Sequence, residues 1–266
     1  MMLKCGQKIE SLKLGRKSFR GMETRFVIIS PTYNCDKFIE KHILSVNSQT
    51  YSNYLHIIVD DFSSDDTVSK AKEYNSETQG IVTKPVRLGC VNSHLLPFLV
   101  GIPLKDDDII VHLDGDDWFK HDKVLENLEK VYSEKSPLVT YGNYESTDGT
   151  PSVCRPMVDT LFREKIFNGG WCFSHLRTFR KYLIDSIPWN YFFDSNGQPL
   201  THAADTVIFL PIMELAISLE GENAVMFIDE VNVVYNRHGN NEDSGPEDRA
   251  KQFHCAKQSF HKKPLV

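Results

Sequence analysis

The sequence predicts an α/β fold: a mainly parallel, doubly wound central sheet flanked by helices, with a smaller, less regular region in the second half. The first observation behind this is alternation. From Arg25 to about Ser133, short apolar runs of strand length take turns with segments of helical period, the pattern of parallel strands joined by helical crossovers. The second is the placement of polar residues. Clusters at 31–34, at Asp60-Asp61 and at 114–117 each follow an apolar run. Open α/β sheets bind ligands outside the carboxyl ends of their strands, so the clusters are expected to converge on one crevice. The third is the absence of an internal repeat in 266 residues, a length that suits one large α/β domain or two small ones.

Taken in order, Phe26-Val27-Ile28-Ile29-Ser30 is a buried strand stopped at Pro31. Asp36 is placed to cap a helix carrying Phe38, Ile39, Leu44 and Val46. Leu55-His56-Ile57-Ile58-Val59 forms a second strand, and Asp65-Asp66-Thr67 opens a helix reaching about Tyr74. Residues 81–86 read as a third strand, 90–99 as a helix, and 109–113 as a fourth strand. The next helix, 121–133, sets Val124, Leu125, Leu128, Val131 and Tyr132 on one side. Residues 138–141 continue as strand. The turn-formers Asn143, Asp148, Gly149 and Pro151 predict a surface loop over 142–156. Beyond it lie a flexible turn at Gly169-Gly170-Trp171, a long helix at 203–219, and two short strands at 225–228 and 231–235.

Composition narrows the function. The chain is 41% hydrophobic and 25% charged, with a formal net charge of -6. That balance argues against nonspecific nucleic-acid binding, which needs a basic field, but leaves room for an anionic ligand if a metal ion supplies positive charge. The longest apolar stretch, 95–104, is broken by Pro97 and Pro103 and falls short of the roughly 20 residues needed to span a bilayer. Residues 1–24 carry a run of lysines and arginines with no apolar segment after them, which predicts a flexible basic tail and no signal peptide. The six cysteines are scattered, without a CxxC pair, and read as free thiols of a cytoplasmic chain. Residues 241–266 are polar and are expected to form a partly disordered tail.

Asp114-Gly115-Asp116-Asp117 carries the most chemistry. Three carboxylates within four residues repel one another at a strand end, and a divalent cation resolves the conflict. Hard oxygen ligands favour Mg²⁺ or Mn²⁺, and Gly115 permits the tight turn. In isolation such a run would be a solvated acidic turn capping the next helix. The apolar strand before it and Trp118-Phe119 after it reverse that reading. By contrast, Lys105-Asp106-Asp107-Asp108 precedes its strand and is expected to be a solvated turn.

Here the chain resembles a known family. Ser30-Pro31-Thr32-Tyr33-Asn34, then Val59-Asp60-Asp61 with Ser63 and Asp66-Thr67, then Gly89, then Leu113-Asp114-Gly115-Asp116-Asp117 resembles glycosyltransferase family 2 in order and spacing over about 25–135. The resemblance implies a GT-A fold, a nucleoside diphosphate sugar as donor (most often a UDP-sugar), Mn²⁺ or Mg²⁺, and transfer with inversion to a hydroxyl acceptor on a saccharide or protein. It implies that Pro31 and Tyr33 frame the base and Asp61 meets the base edge. Asp114 and Asp116 would face ribose and metal, and Asp117 would be a further or alternative metal ligand. Residues 25–240 would then be one GT-A domain, with 25–135 its nucleotide-sugar half and 136–240 its acceptor half.

The sequence departs from the family after Gly89, where Cys90-Val91-Asn92-Ser93-His94 lacks the usual Arg and leaves Asn92 or His94 as substitutes. Inverting transfer needs a general base at the acceptor hydroxyl. The family often places a Glu-Asp pair before a helix, and here Ala204-Asp205 stands in that place. Asp205 is the candidate base, with helix capping as its bland alternative and His202 as a substitute. Arg237-His238 could reach the diphosphate or metal, and residues 174–178 and Trp171 could contact sugar or acceptor. A degenerate domain that binds nucleotide or a protein partner without turnover is the competing reading.

Overall fold

The computed structural model describes residues 23–74, 76–156, 170–239, 241 and 245–265; most of the expected basic tail, and Gly169 of the expected Gly-Gly turn, lie outside them. Eight strands form one sheet in the order β3-β2-β1-β4-β7-β6-β8-β5. β1 (Phe26–Thr32), β2 (Tyr54–Asp60), β3 (Gln79–Thr83) and β4 (Ile109–His112) run parallel. β7 (Arg177–Arg180) is antiparallel to β4 and to β6 (Val139–Ser146). β8 (Val225–Tyr235) runs parallel to β6, and the short β5 (Trp118–Phe119) closes the edge. The chain steps outward from β1 through β2 to β3, then returns to the other side of β1 as β4. That reversal is the switch point where open α/β sheets hold ligands.

β1, β2 and β4 are largely apolar because both faces are covered. Val27 and Ile29 of β1 pack into one core and Phe26 and Ile28 into another, as a period of two requires. The covering helices are α1 (Ile39–Asn47), α2 (Thr67–Glu73), α3 (Cys90–Leu95) and α4 (Val124–Lys135). After β7 come the single turn α5 (Tyr182–Asp185), α6 (Leu210–Glu220) and α7 (Pro246–His261). No helix among the described residues is long and apolar enough to cross a membrane.

Several local expectations need correction. β3 ends at Thr83 because Pro85 cannot donate to a ladder. β6 runs on to Ser146 where a loop was expected: its Gly142 and Asn143 sit at irregularities in the pairing with β8, which is itself one long strand. The expected helix at 203–219 begins as a π-helical turn, Asp205–Phe209. Pro211, near the start of α6, has no N–H to bond back along the helix, so the preceding turn widens. Asp36 caps nothing; its backbone N–H donates to Asp65. Asp108, expected in a solvated turn, is buried and holds Arg25 by two hydrogen bonds of 2.8 and 2.6 Å. The expected polar tail contains α7, whose Cys255 and Ser259 are buried, with the Ser259 hydroxyl donating to Thr206 O of the π-helical turn.

Candidate active site

A cavity of about 340 Å³ opens at the carboxyl ends of β1, β2 and β4, and Pro31, Tyr33, Asp61, Asp114, Asp116 and Asp205 all line it. Its floor is the acidic turn after β4. The Gly115 N–H donates to Pro31 O, and the Asp117 N–H to Asp114 O. Glycine is required here by close approach rather than by a left-handed backbone. A Cβ on Gly115 would lie 2.2 Å from Thr32 Cγ2 and 2.9 Å from Pro31 O.

The three carboxylates of the turn meet different surroundings. Asp114 Oδ1 lies 3.3 Å from His94 Nε2, and Oδ2 lies 4.0 Å from Arg177 Nη2. Burial pushes the Asp114 pKa up, but the His94 hydrogen bond and the charge of Arg177 outweigh it and hold it well below the ordinary range. Asp116 Oδ2 is 2.9 Å from His238 Nε2 and accepts from Asn241 Nδ2 at 3.2 Å. Asp117 is fully buried. Its Oδ1 accepts the Asn236 N–H at 2.8 Å, while Oδ2 has no hydrogen-bond partner among the described residues and lies 3.8 Å from His175 Nδ1. Burial and the neighbouring Asp116 and Asp114 push the Asp117 pKa well up. Of the three residues the sequence grouped around a metal, the structure thus joins Asp116 and His238, and sets Asp117 behind them facing Asp114 and His175.

At the β2 end, Asp61 is buried and well supplied with donors. Lys84 Nζ, Leu88 N–H and Gly89 N–H reach it at 2.6, 2.7 and 2.7 Å. A carboxylate offers about four lone-pair sites, so room for a ligand donor remains. Gly89 has φ +85°, and a Cβ there would meet Thr201 O at 2.4 Å. Both conditions demand glycine. Arg87 stacks on the half-exposed Tyr33 ring at 3.8 Å.

Asp205 starts the π-helical turn, directly after Ala203 (φ +59°) and Ala204. Its Oδ1 accepts the Thr206 N–H at 2.8 Å. His202 does not line the cavity; its Nδ1 pairs with Thr201 Oγ1 and its Nε2 lies 3.9 Å from Asp248 of α7. Asn92 bonds the Leu88 and Leu200 carbonyls and is not a cavity residue, whereas His94 is. Ser174, His175, Arg177 and Arg237 line the cavity, while Trp171 packs on Phe173 outside it.

Residues 27–198 match the family model described as Glycosyl transferase family 2. The chain belongs to glycosyltransferase family 2. Its GT-A fold is shared with S. aureus TarS 1-349 in complex with UDP, at a TM-score of 0.63 and 17% identity over 91% of this chain and 67% of that one. Glucosyl-3-phosphoglycerate synthase from Mycobacterium tuberculosis, solved with Mn2+, UDP and glucosyl-3-phosphoglycerate, superimposes at 0.59 and 18% identity over 90% of this chain and 77% of that one. Among curated relatives, the Escherichia coli beta-1,3-glucosyltransferase WfgD is 29% identical over 118 residues, 44% of this chain and 45% of the relative. Streptococcus pneumoniae GlyA is 26% identical over 159 residues, 58% of this chain and 22% of the relative. The family 2 chain therefore spans less than half the length of these two relatives.

A second tier of the family 2 site was not evident from sequence. Beneath the acidic turn, His42 Nδ1 meets Asp117 O at 2.7 Å, and Ser30 Oγ stands 3.0 Å from both His42 Nε2 and His56 Nε2. Burial lowers both histidine pKa values, so the pair is neutral and His42 Nδ1 is the donor. His94 stacks on His112 at 4.0 Å, and His175 on Tyr235 at 5.1 Å. Burial, then the charge of Arg177, lower the His175 pKa to about 3. Their signal in sequence was faint: histidines in otherwise apolar strands, at His56 and His112. The residues present suit a hard divalent ion. Carboxylates and an imidazole converge, and the unpartnered Oδ2 of buried Asp117 is the kind of orphan an ion relieves.

Proposed function

We propose that this chain is a metal-dependent inverting glycosyltransferase that moves a sugar from a UDP-sugar to a hydroxyl of a saccharide or protein acceptor. The observation that carries the reading is that one cavity gathers Asp61 and Tyr33, Asp114 and Asp116, and Asp205, three sets separated by long stretches of sequence. Support comes also from the ligands bound in the structural neighbours, UDP in TarS and Mn2+ with UDP in the mycobacterial synthase.

In this reading Tyr33, with one face under Arg87, stacks on the base beside Pro31, and Asp61 accepts from its edge. Asp114, kept ionised by His94 and Arg177, accepts from the ribose. Asp116 and His238 would hold Mn²⁺ or Mg²⁺ with Asp117 in support; when bound, the ion offsets charge on the departing diphosphate. Asp205 takes the acceptor proton. Its Oδ1 is fixed by the Thr206 N–H, which orients the second oxygen for that role.

Thermal unfolding with nucleoside diphosphates and UDP-sugars, with and without Mn²⁺, tests the assignment. A ligand at 100 times its dissociation constant adds about 2.7 kcal/mol, a midpoint rise on the order of 5–10 °C for a chain of this size. The expected rise needs both UDP and metal and is lost in Asp116→Ala. If no nucleotide moves the midpoint with metal present, the donor-site assignment is wrong and the partner-binding reading takes its place.

A further inference from the structure

Arg177 is a cation whose side chain has no hydrogen bond among the described residues. Its side chain is 6% exposed, yet it lines the cavity. Its Nε is sealed from solvent with no partner, and its side chain makes no hydrogen bond to another described residue. The nearest opposite charge, Asp114 Oδ2, is 4.0 Å from Nη2, too far for a hydrogen bond. Asp114 turns its other oxygen to His94. His112, the register partner of Arg177 across β4 and β7, and His175 are both neutral through burial and add no anion.

A guanidinium carries five N–H donors in a rigid fork suited to phosphate and carboxylate oxygens. Burying one without such partners is costly. β7 nevertheless fixes it beside the acidic turn, facing the cavity.

We propose that Arg177 is a substrate-binding residue that takes anionic oxygens, of a phosphate or a carboxylate, from the ligand held in the cavity. The inference rests on the donor-site reading above. Two sources carry this chemistry: the diphosphate of the donor, and an acidic group on the transferred sugar.

The test is calorimetric titration of wild type, Arg177→Met and Arg177→Lys with inorganic pyrophosphate, UDP, UDP-glucose and UDP-glucuronate, each with Mg²⁺. The midpoint of unfolding without ligand is measured beside it. Arg177→Met is expected to keep or raise that midpoint, because it removes a buried charge whose one ion pair is long and without a hydrogen bond, and to lose at least tenfold in affinity. A loss already present with UDP and pyrophosphate assigns the diphosphate; a loss confined to UDP-glucuronate assigns a sugar carboxylate. Arg177→Lys keeps the charge without the fork, should fall between the two, and carries the test if Arg177→Met does not fold. Unchanged affinity for all four ligands in a folded variant overturns the inference while leaving the donor site standing. A wild type that binds no nucleotide removes the donor site instead, and pyrophosphate then decides for Arg177: binding that Arg177→Met loses supports the inference, and no binding overturns it.

Discussion

At the scale of single residues, Asp205 and Gly115 make opposite kinds of claim. Asp205 has one oxygen on the Thr206 N–H and lines the cavity, so Asp205→Asn preserves shape and removes only the carboxylate proposed as the proton acceptor. Turnover is expected to fall by roughly 10²–10⁴-fold with the UDP-dependent midpoint rise unchanged. Undiminished transfer in steady-state assays would place the base elsewhere. Gly115→Ala acts through sterics, since its Cβ would sit 2.2 Å from Thr32 Cγ2. Overpacking of this kind costs on the order of 1–3 kcal/mol. Thr32→Ser, which deletes that methyl group, should recover part of the loss in denaturant titrations but not all, because Pro31 O remains at 2.9 Å. The carboxylates of the turn were legible in sequence because their mutual repulsion is local. Asn236, which anchors Asp117 from 119 residues away, was not, and His238, which meets Asp116 from 122, was reached only through the strand before it and the family resemblance. No local pattern encodes such a meeting.

At the scale of elements, β1, β2 and β4 were readable because strands buried on both faces are mostly apolar runs. β6 was read only as far as Tyr141, because Gly142 and Asn143 look like turn residues and serve as irregularities in the pairing instead. α7 was missed for a related reason: it buries only Cys255 and Ser259 fully, so its sequence looks like a polar tail. Yet Ser259 Oγ donates to Thr206 O, one residue from Asp205. The π-helical turn frees carbonyls from the regular ladder, and a donor from α7 steadies one of them. Ser259→Ala is therefore expected to lower turnover several-fold, costing about 1 kcal/mol of stability, with nucleotide affinity unchanged. Equal losses in turnover and nucleotide binding would show that α7 supports the whole domain and not the turn.

At the scale of the molecule, the site rests on neutral histidines, and this sets how the protein meets acid. His42, His56, His94, His112 and His175 are buried, and burial is the first cause lowering each pKa. In the unfolded chain these groups titrate near 6.5. Above that value neither state binds their protons, and their contribution is constant. As pH falls below it, the unfolded chain takes up protons that the folded chain refuses, so stability is lost progressively toward the lowered folded values, about 3 for His175. Asp117 works in the other sense. Its raised pKa means the folded state holds a proton that the unfolded one has released, so acidification stabilises through this group. Five histidines oppose one aspartate, so the net effect of acid below about 6.5 is a loss of stability. The unfolding midpoint should therefore be level from pH 8 to 7 and fall steeply below about 6.5. His56→Gln, which removes one titrating ring while retaining a polar group beside Ser30, should shallow that fall by about one proton's worth. A midpoint that stays level to pH 5 would mean that these rings take up protons in the folded state after all.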